Sequence, residues 1–253
     1  MSNENRPARS SWPPMPNTDP TARAAALAAR ARTQEDPTAL MHATAQLTAL
    51  YEAHPAPRVG EALAWAWSFL AETQEDATQL DETGRHIAAL YAAHQTLPLA
   101  EALAGTLVLL SSAQADGQEV AQISTRLRAL YLSHPTTEIA QALAWGLVDL
   151  VAAQETTADV LTSLAQVEAL AARHPGQEVA EPLAAALANY SCHLTATTEV
   201  EAVVSRLTEL FTRFPTPPIR RARALAQENL AELTTAPAPA EPRQDPRLEG
   251  TAL

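Results

Sequence analysis

One phrase is written into this chain five times at a fixed interval. LYEAHP begins at Leu50, LYAAHQ at Leu90, LYLSHP at Leu130, LAARHP at Leu170 and LFTRFP at Leu210. The offset is 40 residues each time, and no insertion breaks it over the middle of the chain. Strict self-similarity at such a period is the mark of an array of identical supersecondary units, each too small to bury its own apolar face and stable only when stacked. The question it leaves is what the recurring tyrosine and histidine do.

Each unit holds two amphipathic patterns of helical period. TEIAQALAWGLVDLVAAQ places Ile139, Leu143, Leu147 and Leu150 on one face, and ADVLTSLAQVEALAARHP does the same with Val160, Leu164, Val167, Leu170 and Ala171. We term these the A and B helices. Short polar connectors such as TQED and AQADG separate A from B, which suits antiparallel pairs. Pro55, Pro135, Pro175 and Pro215 end the B helices and open the next A helix. A column of small residues, Ala24, Ala64, Ala104, Ala144, Ala184 and Ala224, predicts close helix crossings.

The leucine column Leu63, Leu103, Leu143, Leu183 turns to Arg23 at one end and Arg223 at the other, and the Trp67, Leu107, Leu147, Leu187 column ends in Gln227. Polar substitution of this kind is what a terminal repeat needs, because no neighbour covers its outer face. The expected fold is therefore all-α, a right-handed α-solenoid of about five and a half 40-residue helix pairs over residues 20–235. Residues 1–19 and 236–253 are Pro-rich, lack a helical period and are expected to be disordered.

Composition narrows the function classes. The chain is 47% hydrophobic but only 4% aromatic, with a formal net charge of −12, and all 17 of its basic residues are arginine. That acidity argues against nucleic acid, where neutralisation of phosphates supplies most of the affinity, and against an anionic membrane surface. With one cysteine, Cys192, no internal disulfide is possible; apolar runs such as Leu107 to Leu110 are far too short to span a bilayer, and the opening residues lack a signal-peptide core. A cytoplasmic protein is expected, bacterial by its lysine-free, alanine- and arginine-rich composition, and a monomer or weak homo-oligomer.

Tandem helix pairs with a proline closing each B helix resemble tetratricopeptide-type repeats. ALAWGLVDL, with small Ala144 and Gly146 between leucines, and ALYLSHP carry the resemblance over residues 20–235, although the unit is 40 rather than 34 residues; HEAT-like repeats are the second choice. The resemblance implies a non-enzymatic scaffold that binds a peptide or partner protein in a groove lined by A helices. The alternative is an acidic inhibitory or immunity-type protein steered by its charge onto a basic partner.

Candidate contact residues lie on the A helices beside the core columns. Trp65 and Trp145 share one column, and Phe69, Asp149, Asn189 and Asn229 share another that turns from apolar to polar along the array. Aromatic side chains of this kind anchor interfaces. The histidines His54, His94, His134 and His174 are read as structural, since equivalent residues of stacked helices stand about 8–10 Å apart and cannot converge on one zinc ion. Phe214 in the same column wants only a flat ring that packs. Cys192 and His193 diverge as helical neighbours, and Gln34–Glu35–Asp36 and Gln74–Glu75–Asp76 are expected to cap B helices. No catalytic group, metal or cofactor is expected.

Overall fold

A computed structural model describes residues 19–34 and 36–235. All regular structure among them is helical. Eleven helices follow in order: α1 (Pro20–Ala31), α2 (Pro37–Ala53), α3 (Pro57–Ala71), α4 (Ala77–His94), α5 (Leu97–Ala113), α6 (Gly117–Ser133), α7 (Thr137–Ala153), α8 (Thr157–Arg173), α9 (Gln177–Ser191), α10 (Thr197–Arg213) and α11 (Pro217–Thr235). The odd-numbered helices are the A set and the even-numbered ones the B set. The expectations of disorder lie outside the described residues, except at Asp19, whose side chain accepts from the Thr21 amide and caps α1.

Helix boundaries follow local chemistry. Proline occupies the start of α1, α2 and α3, where its missing N–H costs nothing. The acidic connectors cap the helices that follow them: Asp36, Asp76 and Asp116 accept from backbone amides in the first turns of α2, α4 and α6. Thr156 takes over that role for α8. At the far ends, His54, His134, His174 and Phe214 leave helical geometry because the next residue is proline, which disfavours αR before it. In the one unit where Gln95 replaces that proline, α4 runs on through His94, and Gln95 turns into the left-handed region at φ 51.

The chain divides into two compact units, one ending at Thr106 and the other beginning at Leu107, so the division falls within α5. In the first unit α1 packs on α3, and α2 and α4 flank α3. In the second, α7 packs on α9 and α9 on α11, with α6, α8 and α10 seated against the A helices beside them. Each unit is thus a stack of helix pairs of the helical-repeat kind. No helix among the described residues is long and apolar enough to cross a membrane.

The core runs along the repeat columns. Leu47, Ile87, Leu127, Val167 and Leu207 of the B helices are fully buried, as are Leu107, Leu147 and Leu187 of the A helices. The small-residue column is buried from Ala24 to Ala184, but Ala224 is exposed, because among the described residues no A helix follows α11 to cross it. Arg23 and Gln227 face solvent, whereas Arg223 is half-buried with its guanidinium 4.6 Å from the centre of the Phe211 ring.

Candidate functional site

The A helices carry their contact candidates one turn apart on the same side. On α3, Trp65 and Phe69 stack with ring centres 6.1 Å apart and planes 29° from parallel, and both stay half-buried. Ala28 and Ala29 of α1 leave room beside them, and Arg32 stands at the edge. Together these five residues enclose a recess of about 460 Å³. The sequence singled out Trp65 and Phe69 in separate columns, not as a stacked pair. The α1 wall was not legible, because nothing in an alanine-rich helix marks which alanines face a recess.

On α7, Trp145 and Asp149 occupy the equivalent positions, and Asn189 on α9 and Asn229 on α11 continue the second column; all four are half-buried. Two of these polar residues reach back to the preceding A helix. Ser112 of α5 donates to the Asp149 carboxylate at 3.1 Å, while the neighbouring Ser111 hydroxyl is buried without a bond of good geometry. Asn229 donates to Ser191 Oγ at 2.7 Å and to Cys192 Sγ at 3.3 Å. Burial holds the Asp149 carboxyl above the ordinary aspartate range, and the two serine hydroxyls oppose that shift. Among the described residues, no group hydrogen-bonds to the Asn189 side chain.

The histidine column, read as structural from the sequence, has tyrosine partners that the sequence did not reveal. His94 Nε2 lies 2.7 Å from the Tyr51 hydroxyl, and His174 Nε2 lies 2.9 Å from the Tyr131 hydroxyl. Each pair joins a B helix to the next, with rings edge to face at 5.8 Å. His174 is held at both nitrogens, since Nδ1 meets Thr137 Oγ1 at 3.3 Å. Arg173 donates to the Tyr131 oxygen at 3.3 Å, so that hydroxyl is free to donate to Nε2 while Nδ1–H donates to the threonine. Among the described residues no three His, Cys, Asp or Glu side chains come together as a metal site. Cys192 is exposed and donates weakly to the Ala188 carbonyl at 3.7 Å.

The B helices also leave grooves between them, which the sequence did not signal. One lies between α2 and α4 over α3, with a volume of about 520 Å³; another lies between α8 and α10 over α9, at about 360 Å³. Compared with family models, with curated proteins and with solved structures, the chain matches none. Its functional reading therefore stands on these surfaces.

Proposed function

We propose that this protein is a non-enzymatic interaction module, tetratricopeptide-like rather than HEAT-like, that takes a peptide or partner protein on its A-helix face. The observation that carries the proposal is the stacked Trp65–Phe69 pair beside an open recess. Two large rings left half in water on a rigid helix present apolar area with little rotamer entropy to lose, which is how interface anchors work. Arg32 at the rim can meet a carboxylate or a backbone carbonyl of the bound chain. Small residues at the buried helix crossings support the tetratricopeptide-like label, and the single cysteine and lysine-free composition fit a bacterial cytoplasm.

Peptides selected from a random displayed library against the full chain provide the test. Trp65→Ala/Phe69→Ala is expected to weaken the selected peptides roughly tenfold or more while retaining a cooperative melt. Equal binding to the double variant would place the interface elsewhere. Titration at low and high salt separates an apolar anchor, which salt leaves in place, from capture of a basic partner by charge alone.

A further inference from the structure

We propose that the groove between α2 and α4 is a binding site for an organic cation with an apolar body. It lies on the B-helix side of the first unit, and its volume of about 520 Å³ falls within the range typical of small-molecule sites. Trp67 and Leu70 of α3 form its floor, and Ala45 and Ala49 of α2 keep one wall low. Met41, at its margin, is 53% exposed.

What sets this groove apart is that, among the described residues, the side-chain bond from α2 to α4 is Tyr51–His94 at the helix ends, with no strap across the middle of the slot. Between α8 and α10, Arg206 pairs with Glu168, and Arg213 donates to the Pro175 carbonyl at 3.3 Å. Between α6 and α8, Arg128 bonds to Gln166. The repeat positions of the Arg206–Glu168 and Arg128–Gln166 straps are held in the first unit by Thr48 and His86, and that of Arg213 by Ala93. Thr48 turns its hydroxyl inward to the Thr44 carbonyl at 2.9 Å. His86 lies flat on Trp67, with ring centres 4.6 Å apart and planes 11° from parallel. Both potential strap partners are thus engaged on their own sides: His86 covers one face of the Trp67 ring, and the rest of the slot is left unbridged between Thr48 and His86.

The charge of the lining selects the occupant. Glu52 of α2 and Glu82 of α4 both line the groove, with the neutral Gln74, Gln79, Thr48 and Thr83. No arginine or histidine is among the lining residues, and among the described residues no ion pair engages either glutamate. The two carboxylates are exposed at the margin of the groove, so they set a negative potential at its mouth above the apolar floor. A cation whose apolar body fills the slot gains both contributions, whereas an anion of the same shape meets repulsion.

Tetraphenylphosphonium and tetraphenylborate are nearly isosteric and opposite in charge, so they probe this difference directly by titration calorimetry in mildly alkaline buffer. The phosphonium is expected to bind the full chain at one site and at least roughly tenfold tighter than the borate. Glu52→Gln/Glu82→Gln should remove most of that preference. Glu199→Gln/Glu201→Gln, an equal change of net charge at exposed residues of α10, should leave it intact. Ala49→Phe fills the slot from an exposed position and should abolish phosphonium binding; Ala45→Leu serves if that variant does not melt cooperatively. Borate binding as tight as phosphonium, an equal response of both glutamine pairs, or phosphonium binding that survives the filled slot would each overturn the proposal.

Discussion

Tyr131 and His174 stand 43 positions apart in sequence and meet at 2.9 Å, hydroxyl to Nε2, from one B helix to the end of the next. Tyr51 and His94 repeat the contact at the same separation. The next pair along, Ala171 and Phe214, loses both partners together. A tyrosine without its histidine, or a histidine without its tyrosine, would leave a half-buried polar group with one bond fewer. Replacing both by apolar residues avoids that cost. The recurring phrase thus encodes a contact between repeats.

A double-mutant cycle measures that contact. Tyr131→Phe and His174→Phe each remove one side of the bond, and each is expected to cost about 1 kcal/mol. The double variant should cost less than the sum, with a coupling of about 0.5–1 kcal/mol by urea denaturation. Zero coupling would mean that only the edge-to-face packing of the rings matters.

Asp149 makes stability depend on pH. Its folded carboxyl titrates above the unfolded value because burial disfavours the charged form. The folded state therefore binds this proton more tightly. That stabilising contribution is complete below the unfolded value of about 3.9 and is lost as pH rises through the folded pKa. Asp149→Asn keeps an acceptor for Ser112 and carries no charge to desolvate. It is expected to be more stable than the wild type at neutral pH, with the difference vanishing or reversing in acid. Chemical denaturation at both pH values checks this, and a wild type more stable than the variant at neutral pH would show that the serine bonds outweigh burial.

Core and end positions should separate sharply. Leu130 is 5% exposed in α6, and Leu130→Ala is expected to destabilise by about 2–5 kcal/mol through transfer and cavity terms. Leu210 holds the same repeat position in α10 but is only half-buried, so Leu210→Ala should cost less than half as much. Equal losses would mean that the last B helix is as deeply packed as the middle ones.

Helices, caps and core columns were legible because they obey rules local to one unit. A 3.6-residue period, an aspartate before a helix and a proline after one each act within a few residues. Gln95 illustrates the reach of such rules: one missing proline lets α4 run on to His94. The Tyr–His contacts were not legible, because a column read position by position does not reveal that its residues bond to a different column one repeat away. The same holds for Asp149 with Ser112. The open groove over Trp67 depends on where His86 and Thr48 turn, and periodicity carries no information about rotamers.

Asn189 and Asn229 share a repeat column, yet the structure gives them different work. Asn229 donates to Ser191 Oγ at 2.7 Å and to Cys192 Sγ at 3.3 Å, which ties α11 to the end of α9. Ser191 is buried and itself donates to the Ala188 carbonyl at 2.6 Å, so its oxygen depends on Asn229 for a donor. Asn229→Ala should therefore destabilise the second unit by about 1 kcal/mol. Asn189 has no such bond, and Asn189→Ala should change stability by no more than about 0.5 kcal/mol. Its free amide is the one able to pair with the backbone of a bound peptide. For selected peptides that do not depend on Trp65 and Phe69, Asn189→Ala should then weaken capture several-fold at unchanged stability. Asn229→Ser, short but still polar, should recover less than half of the stability lost in Asn229→Ala, because a serine hydroxyl at that position falls short of Ser191. If Asn189→Ala unfolds as readily as Asn229→Ala, the whole column is a ladder between helices. If it folds and captures those peptides like the wild type, the Asn189 amide makes no contact with them.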